Sequence, residues 1–242
     1  MRPFEVIFFD LDHTLIDTRG QYAAGLSITL KQLYGTEVPR DFQTNFMRFH
    51  NRLWKLYDAR EIDMETLRRE RFLQTWESFG VKKTEDDANQ FQQVYDATFE
   101  TTLHAYPGTR EMLAALAQDH QLGIITNGSP DLQWRKTRIT GLEEFFSEQD
   151  LIISANVGAA KPHPQVFETA CRQFSVDTKN AVMIGDNFTG DVAGARSFGM
   201  AAVWYVPDDA ILEEQSAAPG EPLISKPADV VAAIARMEDT RP

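Results

Sequence analysis

Two aspartates, Asp10 and Asp12, stand one residue apart directly after the apolar run Val6-Ile7-Phe8-Phe9. Ionised carboxylates are costly to bury and repel each other unless a cation joins them. A divalent metal resolves that conflict and leaves one carboxylate oxygen free to attack an electrophile. Three further polar clusters follow along the chain. Thr126-Asn127-Gly128 offers a hydroxyl and small-residue amides suited to phosphate oxygens. Lys161-Pro162 supplies a cation held before a helix, and Gly185-Asp186-Asn187-Phe188-Thr189-Gly190-Asp191 supplies two more carboxylates. Carboxylates, one lysine, one hydroxyl and backbone amides together suit Mg²⁺ and a phosphoryl group.

The surrounding pattern says what must position these groups. Val6-Ile7-Phe8-Phe9 reads as a short buried strand of β-branched and aromatic residues. From about 21 to 103 only helical periodicity is found, with segments near 20–34, 41–58, 63–79 and 84–102 that read as a four-helix insert. Gly35 to Pro39 and Gly80 to Thr84 mark breaks between them, and Thr84 followed by Glu85, Asp86 and Asp87 is a helix N-cap pattern. Beyond Tyr106-Pro107-Gly108 helices alternate with apolar strands: a helix at 108–119, strand 122–126, a helix beginning near Pro130, strand 151–154, helix 163–174, strand 181–184, helix 190–198 and strand 201–204. Such alternation predicts a parallel sheet covered on both faces. Residues 207–222 read as a surface loop, followed by a short strand at 223–225 and a last helix from about 228. In open parallel sheets ligands bind beyond the carboxyl ends of the strands, which is where the polar clusters fall.

In order and spacing, the four clusters resemble the motifs of the haloacid-dehalogenase-like (HAD) superfamily: Asp-x-Asp-x-Thr, a Ser or Thr, a Lys, and Gly-Asp-x-x-x-x-Asp. The resemblance implies an α/β fold, a Rossmann-like parallel-sheet core of residues 1–17 and 104–242 with a helical C1 cap inserted at 18–103. It implies Asp10 as the nucleophile that forms an aspartyl-phosphate, and Asp12 as the general acid and then base, its pKa raised by the crowded carboxylates. Thr126 and the amides of Asn127 and Gly128 are implied to hold phosphoryl oxygens, with Lys161 neutralising charge on Asp10 and phosphate. The metal set is Asp10, the Asp12 main-chain carbonyl and Asp186, with Asp191 orienting Lys161 or a metal-bound water; Asp191 also suits a helix N-cap. The cap is expected to close over the site, hinged near Asp17-Thr18-Arg19 and His104-Ala105-Tyr106.

The cap phrase Leu53-Trp54-Lys55-Leu56-Tyr57 with Arg71-Phe72 and Trp76 is similar to the pyrimidine 5′-nucleotidase branch, as are Ile124 to Gly128, Thr140-Gly141-Leu142, Val157 to Pro162 and Ala202-Val203-Trp204. That similarity favours nucleoside 5′-monophosphates, with cap aromatics stacking on the base. The same phrases occur in N-acylneuraminate 9-phosphate and flavin mononucleotide phosphatases, and a small-molecule phosphatase acting on those or on a sugar phosphate is the alternative. A 2-haloacid dehalogenase needs neither Asp12 nor Asp186; a phosphomutase and a non-catalytic binding module are the remaining rivals.

Outside the motifs, His13 reads as structural, His163 as a loop residue and Cys171 as part of a helix core. Trp54, Trp76 and the insert's phenylalanines read mainly as its own core. The net charge of −12 over 242 residues disfavours nucleic-acid polymers and anionic membranes. Cys171, the single cysteine, precludes an intramolecular disulfide and fits a reducing cytoplasm. Neither a signal peptide nor a membrane span is expected. The expected partner is a small phosphorylated substrate, and the expected assembly a monomer or homodimer.

Overall fold

Five short strands pair in parallel in the order β3-β2-β1-β4-β5 in a computed structural model that describes residues 4–207 and 223–240. They are β1 (Val6–Phe9), β2 (Gln121–Thr126), β3 (Leu151–Ile153), β4 (Ala181–Gly185) and β5 (Ala201–Trp204). All side chains of β1 and β4 are buried, as central parallel strands covered on both faces require. The strand order reverses at β1, and Phe9 pairs with Ile124 on one side and Ile184 on the other. This register brings the residues following all three strands to one edge, at the topological switch point where open α/β sheets bind ligands.

Between β1 and β2 lies the helical insertion: α1 (Thr18–Tyr34), α2 (Phe42–Asp58), α3 (Met64–Glu77), α4 (Glu85–Ala97) and α5 (Phe99–Thr102). The α2 residues Phe42, Phe46, His50 and Leu53 form its buried face at helical spacing. With Phe72, Trp76, Phe91 and Tyr95 they make the insertion's own core, each such large apolar side chain contributing about 1.5–3 kcal/mol by leaving water. Asp63 caps α3 by accepting from the Thr66 amide at 2.8 Å. Thr84 and Asp87 form a reciprocal capping box on α4, completing the expected N-cap. The segment expected as one helix over 84–102 is divided at Thr98. There the amide and the hydroxyl both bond the Tyr95 carbonyl, at 3.0 and 2.7 Å, tightening the last turn of α4.

The remaining helices are α6 (Thr109–Leu116), α7 (Gln133–Ile139), α8 (Ser154–Val157), α9 (Pro164–Gln173), α10 (Gly194–Phe198) and α11 (Pro227–Asp239). Cys171 is buried in α9, and His163, in the loop before that helix, is also its N-cap. The helix expected from about 130 begins only at Gln133. The one expected over 190–198 starts instead as a wide π-type turn, Phe188–Ala193, before α10. Leu223 to Ser225 adds no strand to the sheet; Ile224 makes a single parallel bridge to Tyr205. The loop expected at 207–222 lies, apart from Val206's neighbour Pro207, outside the described residues.

Two compact units result, residues 1–18 with 104–242 and residues 19–103. The two crossings of the chain are tied within the first unit. Ile16 bridges Ala105, the Asp17 amide donates to the His104 carbonyl at 2.9 Å, and that of Tyr106 to Leu15 at 3.0 Å. Among the described residues no helix is long and apolar enough to cross a membrane.

Candidate active site

Asp10 leaves the end of β1 and Asp186 the end of β4, and Asp191 comes back to them from the π-type turn. Carboxylate oxygens of the three lie within 4.8 Å of one another, all buried. Close approach of Asp191 depends on Gly185: a Cβ there would stand 2.2 Å from Asp191 Oδ2. The same Oδ2 accepts from the Asn187 amide at 3.0 Å, and the Asn187 side chain accepts from the Gly190 amide at 2.8 Å. Asn187, not Asp191, is therefore the capping residue of this turn. Wide turns of this kind recur at functional sites.

Lys161, held before α9, sits among the acids. Its Nζ lies 2.6 Å from Asp10 Oδ1 and 2.7 Å from Asp191 Oδ1, and it donates to the Ile125 carbonyl at 2.7 Å. The Asn127 side chain clamps the backbone of Lys161, accepting from its amide at 2.9 Å and donating to its carbonyl at 3.2 Å. Burial pushes the Asp10 carboxyl upward; Lys161 draws it back, Asp191 and Asp186 reinforce the rise, and the outcome lies well above the ordinary carboxylate range. Burial also works against the charge on Lys161, but Asp10 and Asp191 prevail and raise it above an ordinary lysine. Three buried carboxylates against one ammonium leave the cluster short of positive charge. Its donors are hard oxygens, so the residues present fit a divalent cation such as Mg²⁺.

Thr14, fully buried, fastens β1's loop to this cluster, its hydroxyl donating to Asp186 Oδ1 at 3.2 Å and accepting from the Asp186 amide at 3.0 Å. The Trp204 indole donates to the Asp186 carbonyl at 2.9 Å from β5. Between the two aspartates and Thr14, His13 takes a left-handed backbone, φ 66°, consistent with a structural role.

Asp12 differs from expectation. Its carboxylate is not crowded by other acids but surrounded by donors: Lys136 Nζ and the Thr18 hydroxyl, each 2.6 Å from Oδ1, and Gln133 Nε2, 2.8 Å from Oδ2. Burial alone would raise its pKa. The ammonium of Lys136, the field of His13 and hydrogen bonds from Lys136 and Thr18 outweigh it and hold the carboxyl well below its usual range. The raised value expected for Asp12 belongs to Asp10 instead.

Thr126 ends β2. Its hydroxyl oxygen accepts from the Gly128 amide at 3.0 Å and from Gln133 Nε2 at 2.8 Å. Both acceptor positions are thus filled, and the hydroxyl proton is left to donate. Gly128, expected to aim its amide at a phosphoryl oxygen, spends it on Thr126. It is glycine because a Cβ would lie 2.1 Å from the Gln133 side-chain amide.

Sequence reasoning missed Gln133, Lys136 and Thr18. The one available signal was the i, i+3 placement of Gln133 and Lys136 on a single face of α7, just after the Thr126 cluster.

A five-stranded parallel sheet, an all-helical insertion after its first strand and a carboxylate–lysine cluster at the switch point define an α/β enzyme class with a metal-ready acidic centre. The family model described as haloacid dehalogenase-like hydrolase matches residues 4–199. The chain belongs to that family. It is 32% identical over 219 residues, 85% of its length and 82% of the relative's, to the glyceraldehyde 3-phosphate phosphatase of Pyrococcus furiosus. It is 29% identical over 209 residues, 84% of each chain, to the pyrimidine 5′-nucleotidase PynA of Streptococcus pneumoniae. A magnesium-bound crystal structure of the Bacillus subtilis HAD-hydrolase YfnB superposes with a TM-score of 0.79 at 20% identity, covering 97% of this chain and all of that one.

Proposed function

We propose that the protein is a Mg²⁺-dependent phosphomonoesterase working through a phosphorylated Asp10, with a small sugar-type phosphate as substrate. The observation that carries this reading is the buried union of Asp10, Asp186 and Asp191 with Lys161. Asp10 Oδ attacks phosphorus and the bond to the ester oxygen breaks. Lys161 balances charge on Asp10, while the Thr126 hydroxyl donates to a phosphoryl oxygen, held in that sense by Gly128 and Gln133. Asp12 gives a proton to the departing alkoxide, then takes one from the water that attacks the acyl phosphate, releasing inorganic phosphate and restoring Asp10. As it stands Asp12 is in the form needed for the second step. The arriving phosphate dianion, by offsetting the field of Lys136, favours its protonation for the first. Mg²⁺, held by Asp10, Asp186 and the Asp12 carbonyl, with Asp191 beside it, would screen the charge on the transferring phosphoryl group.

The insertion's aromatics bear on the substrate. Phe42, Phe46, Phe72, Phe91, Trp76 and Tyr95 are spent in its core, while Trp54 and Tyr57 of the cap phrase are only half-buried. The similarity to a glyceraldehyde 3-phosphate phosphatase supports a small aldose or triose phosphate. The 29% identity to PynA keeps pyrimidine 5′-monophosphates as the second reading. Substrate selection is assigned to the 19–103 unit as the family's cap.

The test is Mg²⁺-dependent phosphate release from glyceraldehyde 3-phosphate, other sugar phosphates, pyrimidine nucleoside monophosphates and flavin mononucleotide, with Asp10→Asn alongside. Triose or sugar phosphates are expected to lead, with activity lost on chelation and reduced at least about 10³-fold in the variant. Selective turnover of pyrimidine monophosphates would replace the substrate class, and release unaffected by Asp10→Asn would overturn the mechanism.

A further inference from the structure

Asp12 is held by a device on α7 that none of the four motifs contains. Lys136 Nζ fixes Oδ1 at 2.6 Å, and Gln133 Nε2 fixes Oδ2 at 2.8 Å. The two oxygens of one carboxylate are thus gripped by side chains one helical turn apart, which sets the carboxylate plane as well as its position. Both holders are buried.

Gln133 does more than hold one oxygen. The two hydrogens of its amide go to Asp12 Oδ2 and Thr126 Oγ1, each at 2.8 Å, so one planar group joins the acid–base residue to the hydroxyl at the end of β2. This orientation leaves Gln133 Oε1 buried with no hydrogen-bond partner. An unpaired buried acceptor is costly, and here the amide is held by its two donated bonds instead. The close approach of the Gln133 amide to Gly128, where no Cβ could stand, shows that the backbone is shaped around it.

We propose that Gln133 and Lys136 are positioning residues for proton transfer: they aim the Asp12 carboxylate at the ester oxygen while Gln133 ties that aim to the phosphate-binding hydroxyl of Thr126. The proposal rests on the phosphatase reading above. It makes a demand that a purely structural role does not. The better a leaving group departs unaided, the less its departure depends on a well-aimed acid, and general acid–base assistance is worth about 10²–10⁴-fold where it is needed.

The experiment compares wild type with Lys136→Met and Gln133→Met, near-isosteric changes that remove the donors. Each is assayed with Mg²⁺ on p-nitrophenyl phosphate, whose phenolate leaves readily, and on the alkyl phosphate that wild type turns over fastest. The quantity read is kcat/KM, which reports steps up to cleavage of the ester bond. Each variant is expected to lose at least about 10-fold more kcat/KM on the alkyl phosphate than on the nitrophenyl ester, with KM for the alkyl phosphate changed far less than kcat. Equal losses on both esters, or no loss, overturn the proposal while leaving the phosphatase reading intact. A wild type that releases no phosphate from either ester overturns that reading and the proposal together. If Lys136→Met melts below the assay temperature, Gln133→Met, which alters no charge, decides alone.

Discussion

Thr14 and Asp186, 172 positions apart in the chain, exchange two hydrogen bonds through a single hydroxyl. The oxygen donates to a carboxylate of the acidic cluster and accepts from the main chain that carries it. The end of β1 and the end of β4 are thereby locked in register at the atoms that would face a metal.

Thr14→Val keeps the shape and deletes both bonds. It removes the hydrogen bond to the buried Asp186 amide, at a cost of about 1–3 kcal/mol, and one tether of its carboxylate. A lower melting temperature and a Mg²⁺ affinity weakened about 10–100-fold are expected, the usual penalty for losing a group that orients a ligand. A thermal melt checks the first and calorimetric titration with Mg²⁺ the second; unchanged affinity would show that Thr14 serves the fold alone.

Lys161→Met should be among the most damaging changes in the core. It strips the cation from between Asp10 and Asp191, and breaking a buried pair of this kind costs about 3–5 kcal/mol. The pH dependence has a definite sign. Asp10 already titrates above the ordinary carboxylate range because burial and its acidic neighbours favour the protonated form, and loss of Lys161 moves it further the same way. As pH falls through that raised value the carboxyl takes up a proton and the repulsion fades. The stability deficit of the variant in metal-free buffer should therefore shrink on acidification, and added Mg²⁺ should stabilise the variant more at neutral pH than in acid. Thermal melts over a pH series, with and without Mg²⁺, would show it; a deficit independent of both would mean that Lys161 acts by packing.

Gly128→Ala tests the region from the other side. The new methyl would occupy space now held by the Gln133 amide, whose nearest atom would be 2.1 Å away. Gln133 must withdraw, releasing Thr126 and Asp12 together. A misplacement of about 1 Å near reacting groups can lower turnover about 10²-fold, so that is the expected loss in kcat. It should be accompanied by only a modest fall in melting temperature, because the backbone at Gly128 needs no positive φ. Normal turnover would show that Gln133 tolerates displacement.

The chain's linear order carried a large part of this architecture. Asp10 and Asp186 were legible because each follows an apolar run, and a parallel sheet delivers the ends of such runs to one edge; Lys161 was legible as a cation held before a helix, in its place in the motif order. The helical insertion was equally plain from its unbroken helical periodicity. What the sequence hid was pairing across that edge. Nothing local distinguishes Lys136 from a surface lysine until α7 is known to start at Gln133 rather than near Pro130, turning one face toward Asp12. The same holds for Asp12: two acids one residue apart suggest mutual repulsion, yet the chain leaves β1 at Phe9 and turns, so the pair does not share a strand face, and Asp12 finds donors while Asp10 finds acids. Nor does a motif spacing announce a π-type turn, which depends here on the Asp191 carboxylate folding back onto the Asn187 amide.

The helical insertion offers a cleaner acid response, at carboxylates that are not part of the acidic cluster. Asp87 closes the α4 capping box, and hydrogen bonds from the backbone and the side chain of Thr84 hold its carboxyl below the ordinary value. A depressed pKa of this kind means stability that is present above the unfolded value, near 3.8, and lost as pH falls through the lower folded value. Asp63 at the start of α3 is depressed in the same sense by its hydrogen bonds to Thr66. Asp87→Asn should therefore cost stability at pH 7 and lose its effect in strong acid, where the wild-type carboxyl is itself neutral. Thr84→Ala, which removes the other half of the box, should cost about 1 kcal/mol at pH 7. Urea unfolding of the full chain, followed by the far-ultraviolet helix signal between pH 2 and 7, would track both. A difference between wild type and Asp87→Asn that persists undiminished to the lowest pH would show that Asp87 supports α4 through something other than its charge.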